Sequence, residues 1–120
     1  MKKILAVDDS VTIRKMVMDM LSQIGFSVTT ACDGQEALEQ ADLVKFDLII
    51  SDINMPRLDG IELVKALRNL PNYKFTPILI LTTEHSAEVK TKCKEAGATG
   101  WIIKPFNPEK LIQVIKRVIE

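Results

Sequence analysis

The sequence has no excess of either charge: 16 lysine and arginine residues stand against 16 aspartate and glutamate, for a formal net charge of zero. The general attraction toward phosphate backbones or anionic lipid is therefore missing, and nucleic acid is not an expected partner. Long apolar runs are missing too. The longest, such as Ile78 to Leu81, fall far short of the roughly 20 residues a membrane helix needs, and the N-terminus lacks the apolar core of a secretion signal. A cytoplasmic protein that does not enter a membrane is expected. Only two cysteines occur, Cys32 and Cys93, far apart and without CxxC spacing, and His85 is the only histidine. Neither a disulfide framework nor a zinc site is indicated. Low-complexity linkers and internal repeats are absent, and 120 residues leave room for one domain, residues 1–120, without a separate output module.

What is present is a regular alternation of apolar bursts and amphipathic stretches, repeated five times. Ile4 to Val7, Leu48 to Ile50, Ile78 to Leu81 and Trp101 to Ile103 are short continuous apolar runs, the pattern of strands buried on both faces of a parallel sheet. Phe26 to Ala31 alternates instead, as an edge strand does. Helical spacing connects Ile13, Met16, Val17, Met20, Leu21 and Ile24, then Ala37, Leu38 and Ala41, then Ile61, Val64 and Leu67. Asn107 with Pro108 announces a last helix whose stripe is Leu111, Ile112, Ile115, Val118 and Ile119, and Gly25 and Gly97 fall where helix C-caps belong. Between Ser86 and Ala96 the stripe thins to Val89, Cys93 and Ala96, so this helix is expected to be the loosest. Five such units favour an open, doubly wound α/β sheet, since a closed eight-stranded barrel takes about 250 residues.

In open parallel sheets the working crevice lies beyond the carboxyl ends of the strands. There the first run ends in Asp8 and Asp9, the third in Asp52, the fourth in Thr82 and Thr83, and the fifth in Lys104. Three carboxylates crowded within about 5 Å repel by several kcal/mol at an effective dielectric near 20, and a bound cation relieves that. An all-oxygen donor set points to a hard ion, Mg²⁺, with Mn²⁺ able to substitute. A metal beside a strand-tip carboxylate, with an amine and a hydroxyl at hand, suits phosphoryl transfer onto an aspartate. Asp52, the singleton, is the expected nucleophile, and adjacent Asp8 and Asp9 the expected metal-holding pair. Taken singly, each piece reads as an ordinary cap, loop or turn; it is their convergence on one sheet edge that carries the argument.

The segments VDDS at 7–10, SDINMPRLDG at 51–60, ILTTE at 80–84 and KPF at 104–106 resemble, in order and spacing, the signature segments of response-regulator receiver domains. The resemblance implies a flavodoxin-like sheet of order 2-1-3-4-5 and transfer of a phosphoryl group from a sensor histidine kinase to Asp52. It implies Mg²⁺ held by the Asp9 and Asp52 carboxylates and the Asn54 main-chain carbonyl, with Asp8 acting largely through metal-bound water. Thr82 would hydrogen-bond the phosphoryl oxygens, Lys104 would pair with them, and the Lys104-Pro105 bond would be cis. With no output module in these 120 residues, the chain resembles the stand-alone chemotaxis regulators of the CheY type, which signal by binding a protein such as the flagellar motor switch.

In that subgroup Asn54 and Glu84 influence how the acyl phosphate meets water. Thr82 and Trp101 would form the switch, although the aromatic position is commonly Tyr or Phe. The output face would comprise the fourth helix, fifth strand and fifth helix. A monomer is expected that catalyses only its own phosphotransfer and dephosphorylation and is otherwise no enzyme. A phosphate sink or phosphorelay intermediate is the alternative within the family. An FMN-binding electron carrier fits less well because DDSVT places acid where a phosphate loop would sit, and a metal-dependent phosphatase would turn over external substrates. His85 reads as an exposed loop residue, not a second phosphoryl relay.

Overall fold

The computed structural model describes residues 2–55, 57–83 and 86–119. Five parallel strands, β1 (Lys3–Val7), β2 (Ser27–Ala31), β3 (Leu48–Asp52), β4 (Ile78–Thr82) and β5 (Gly100–Ile103), form one sheet in the order β2-β1-β3-β4-β5. The helices are α1 (Val11–Gln23), α2 (Gly34–Leu43), α3 (Gly60–Arg68), α4 (Ala87–Ala96) and α5 (Pro108–Ile119), with a 3-10 turn at Pro71–Tyr73. This is the flavodoxin-like, doubly wound arrangement expected from the sequence.

Alternate residues of each strand face opposite layers. Leu5, Val7, Ile49 and Ile80 pack with Ala37, Leu63, Val64, Leu67 and Cys93, which belong to α2, α3 and α4. Ile4, Ala6, Leu48, Ile50, Leu79, Leu81 and Ile102 pack with Val17, Leu21, Leu111 and Ile115 of α1 and α5. Every residue of β3 and β4 is buried, which explains their uninterrupted apolar runs. β2 lies at one edge, as its alternation suggested. β5 lies at the other edge, and there the continuous run misleads: only Ile102 is buried, while Trp101 and Ile103 are half-buried because no strand lies beyond them. In α1 the apolar stripe is narrower than its spacing implies, since Met16 and Ile24 are each 40% exposed.

Each helix start carries its own cap. Ser10, Asp33, Asp59 and Ser86 accept the N–H three residues on, and Asn107 Oδ1 accepts from Glu109 and Lys110. Asp59 and Glu62 form a reciprocal capping box. Gly97 ends α4 in the left-handed region at φ 108°, and Gly25, at φ 98°, follows the C-cap Ile24 of α1.

At the end of the sheet away from the strand tips, Arg68 grips three main-chain carbonyls. Its Nε donates to Gly97 O at 2.9 Å, and one terminal nitrogen donates to Tyr73 O at 2.6 Å and Thr76 O at 2.7 Å. The buried Tyr73 hydroxyl meets Ala41 O and Val44 O and accepts from Phe46 N–H, so the turn after α3 is locked to the end of α2. Cys32 is half-buried and Cys93 buried, both as free thiols. Among the described residues no helix is long and apolar enough to cross a membrane.

Candidate phosphoacceptor and metal site

The strand order places β1 beside β3, with Val7 opposite Ser51, so the residues just past these positions come together. Asp8, Asp9 and Asp52 each bring a carboxylate oxygen within 4.8 Å of the others. Asp8 is buried and Asp52 nearly so, whereas Asp9 is exposed. From β5, beyond β4, Lys104 reaches back across the sheet: Nζ lies 3.1 Å from Asp8 Oδ2 and 3.3 Å from Asp52 Oδ1. Among the described residues it is the one cationic side chain paired with these carboxylates.

The local frame fixes each group. Asp8 Oδ1 accepts the Ser10 N–H at 2.9 Å, and Arg14 donates to the Asp8 carbonyl at 2.6 Å, so the start of α1 holds Asp8 in place. Asp52 Oδ1 accepts the Ile53 N–H at 2.8 Å. Gly60, at the start of α3, donates its N–H to Ile53 O at 2.9 Å, and a Cβ there would overlap the Asp52 carbonyl oxygen. Glycine at this position lets α3 begin directly behind the Asp52 main chain.

Burial pushes the Asp52 carboxyl above its ordinary range, Lys104 pulls it back, and the neighbouring Asp8 charge raises it further. An excess of negative charge in a desolvated cleft, presented by oxygen donors with one exposed member, fits a hard divalent cation and leaves coordination positions for water or a phosphoryl oxygen.

Thr82 is buried at the tip of β4, one residue past Leu81, which pairs with Asp52, and the Thr82 carbonyl accepts the Lys104 N–H at 2.7 Å. The Lys104-Pro105 bond is cis. Trp101 pairs with Ile80 in the sheet and packs against the layer of α2, α3 and α4, with Lys90 Nζ of α4 lying 5.8 Å from the ring centroid. Asn54 lies exposed in the β3–α3 connection. Glu84 and His85 lie outside the described residues.

Sequence reasoning missed the residues that hold the frame. Ser10 and Arg14 anchor Asp8; the N-cap signal of Ser10 was there to be read, but nothing in the pattern announced Arg14. Asp33 and Arg57 were also missed. Asp33 followed by Glu36 is a capping signature, and Asp33 does cap α2, although the Glu36 side chain accepts the N–H of Cys32, one residue before the cap, at 2.7 Å.

A five-stranded 2-1-3-4-5 sheet with an acidic cluster at the tips of its first and third strands and a lysine just past its fifth is the architecture of receiver domains. Residues 4–116 match the response regulator receiver domain family, and the chain belongs to it: it is a CheY-like receiver domain of a two-component response regulator. It is 57% identical to the chemotaxis protein CheY4 of Vibrio cholerae across 98% of both chains, with a TM-score of 0.95. It is 35% identical to the chemotaxis protein CheY of Pseudomonas aeruginosa over 98% of this chain and 96% of that protein.

The receiver domain of a Pseudomonas aeruginosa sensor histidine kinase, solved with magnesium in its active-site cleft, is 30% identical over 98% of this chain and 97% of that one, with a TM-score of 0.91. The chain spans only 56% and 48% of two transcriptional regulators that it also matches.

Proposed function

We propose that this receiver domain accepts a phosphoryl group from the phosphohistidine of a sensor histidine kinase on Asp52, with Mg²⁺ as cofactor, and signals by binding a protein partner in chemotaxis. The observation that supports it most is the convergence of Asp8, Asp9 and Asp52 within 4.8 Å, with Lys104 on two of them. The 57% identity to a chemotaxis CheY, against 37% and 40% to two transcriptional regulators, favours that pathway over a transcriptional one.

Asp9 and Asp52 would hold the cation through carboxylates and Asn54 through its carbonyl, with Asp8 a step further out. When bound, Mg²⁺ supplies charge neutralisation at the transferring phosphoryl group. Asp52 attacks phosphorus in line, an O–P bond forms as the N–P bond breaks, and the kinase imidazole recovers its electron pair. Lys104 pairs with a phosphoryl oxygen and Thr82 donates its hydroxyl to another. Asn54 and Glu84 control access of water to the acyl phosphate, and Thr82 with Trp101 relays occupancy to the face of α4, β5 and α5. The protein acts as a cytoplasmic monomer and catalyses its own modification only.

Incubation with a phosphorylated chemotaxis kinase and Mg²⁺ tests the proposal. Base-labile label should appear on the wild type and not on Asp52→Asn. Label persisting on that variant overturns the assignment of Asp52.

A further inference from the structure

Asp33 lies at the start of α2 and Arg57 in the β3–α3 connection, 24 positions apart, and neither belongs to the acidic cluster. Their contact is close and built: Arg57 Nε lies 2.9 Å and a terminal nitrogen 2.6 Å from Asp33 Oδ2. The Asp33 side chain is only 8% exposed, and its other oxygen accepts the Glu36 N–H at 2.8 Å, so the carboxylate is fixed before Arg57 meets it. The Arg57 side chain is itself 61% exposed, so it is the two charge-assisted donors converging on an immobile, shielded acceptor that make the contact a tether.

Two further observations show what the tether restrains. Arg57 has φ 67°, in the left-handed region that favours glycine. A long side chain at such a position is explained by what that side chain does. The backbone beside it is also in direct contact with α2, since a Cβ on Gly34 would overlap the Leu58 carbonyl oxygen. The two ends of the β3–α3 connection are thus joined by the bond from Gly60 N–H to Ile53 O, and Arg57 between them is pinned to the start of α2. Asn54, the residue between Asp52 and that pin whose carbonyl is assigned to the cation, shares this segment.

We propose that Arg57 is a positioning residue for the metal site: its ion pair with Asp33 holds the β3–α3 connection in the conformation that supplies the Asn54 ligand. This rests on the metal-site reading above. Outer partners that orient ligands commonly change metal affinity by about 10-fold or more when removed.

Direct titration with Mg²⁺ alone, by calorimetry, on the full chain tests it. Arg57→Ala should weaken binding on the order of 10-fold. Asp33→Asn, which keeps a capping side chain, should do the same, and the double variant should be no weaker than either single one. Arg57→Lys should recover part of the loss. Arg57→Gly separates tether from packing: it suits the left-handed backbone and should melt no lower than Arg57→Ala, yet bind Mg²⁺ as weakly. Wild-type affinity in Arg57→Ala and Arg57→Gly, whatever their melting temperatures, overturns the tether while leaving the metal site standing. Should the wild type itself bind no Mg²⁺, or Asp52→Asn bind it unchanged, the site reading fails first and the tether with it.

Discussion

The ammonium of Lys104 lies 3.3 Å from the Asp52 carboxylate although β4 separates the strands that carry them. Lys104 is therefore the counter-charge for a cluster whose members sit on strands it does not touch. Lys104→Ala should lower the stability of the metal-free protein by about 2 kcal/mol, because two buried carboxylates lose their partner. Mg²⁺ should then raise the melting temperature of the variant more than that of the wild type. Equal shifts in the two would mean that lysine and metal act on different charges. Phosphorylation of Asp52 should survive in Lys104→Ala while binding of the downstream partner weakens.

Asp8 and Asp9 are adjacent in sequence and unequal in space. Asp8 is already committed to Lys104 and the Ser10 N–H, whereas Asp9 is exposed. Asp9→Ala should reduce Mg²⁺ affinity more than Asp8→Ala, by roughly 10-fold or more, while Asp8→Ala should cost more stability. Calorimetric titration and thermal melts of both variants would reveal the opposite order if the ligand roles are exchanged.

The Asp33 carboxyl is held below its usual range, first by the Glu36 N–H and then by Arg57. A depressed native pKa favours the folded state above the unfolded value near 3.9, and that contribution disappears as pH falls through the native value. Wild type and Asp33→Asn should therefore differ in stability by a constant margin above about pH 5, and the margin should close at lower pH. Urea melts across pH 2 to 7 check this, and a margin that stayed constant into strong acid would contradict it.

Trp101 is the only tryptophan, half-buried on an edge strand, with Lys90 over its ring. Phosphorylation should change its emission or its quenching by iodide, and Thr82→Ala should suppress that change while Asp52 remains labelled. Identical spectra and quenching constants in the two states would remove the indole from the switch.

Much of this molecule was legible in its sequence because sheets report themselves through period and burial. Asp52 and Lys104 stood out since polar groups ending apolar runs must share one edge of a parallel sheet. Trp101 to Ile103 read as a strand buried on both faces, although the order 2-1-3-4-5 puts it at the edge, because an apolar run does not distinguish a strand with two neighbours from one covered on its face alone. The Asp33–Arg57 pair, the Arg68 grip and the Tyr73 latch were invisible for a different reason: each joins positions distant in sequence, at helix ends and in loops or turns, whose meeting depends on the path of the whole chain.

The grip of Arg68 on the Gly97 carbonyl has a mechanical consequence. α4 buries only Cys93 and Ala96, both toward that same end, while nearer the other end Val89 is only partly buried and the Ser86 side chain caps the first turn by accepting the Val89 N–H. The helix is thus a rod clamped at its C-terminus, about 15 Å long over its 10 residues. A tilt of about 10° at the clamp would sweep the far tip through roughly 3 Å and slide Lys90 over the indole on the way. On the proposed function, a small rearrangement near Thr82 would be geared up in this way into a displacement that another protein can feel.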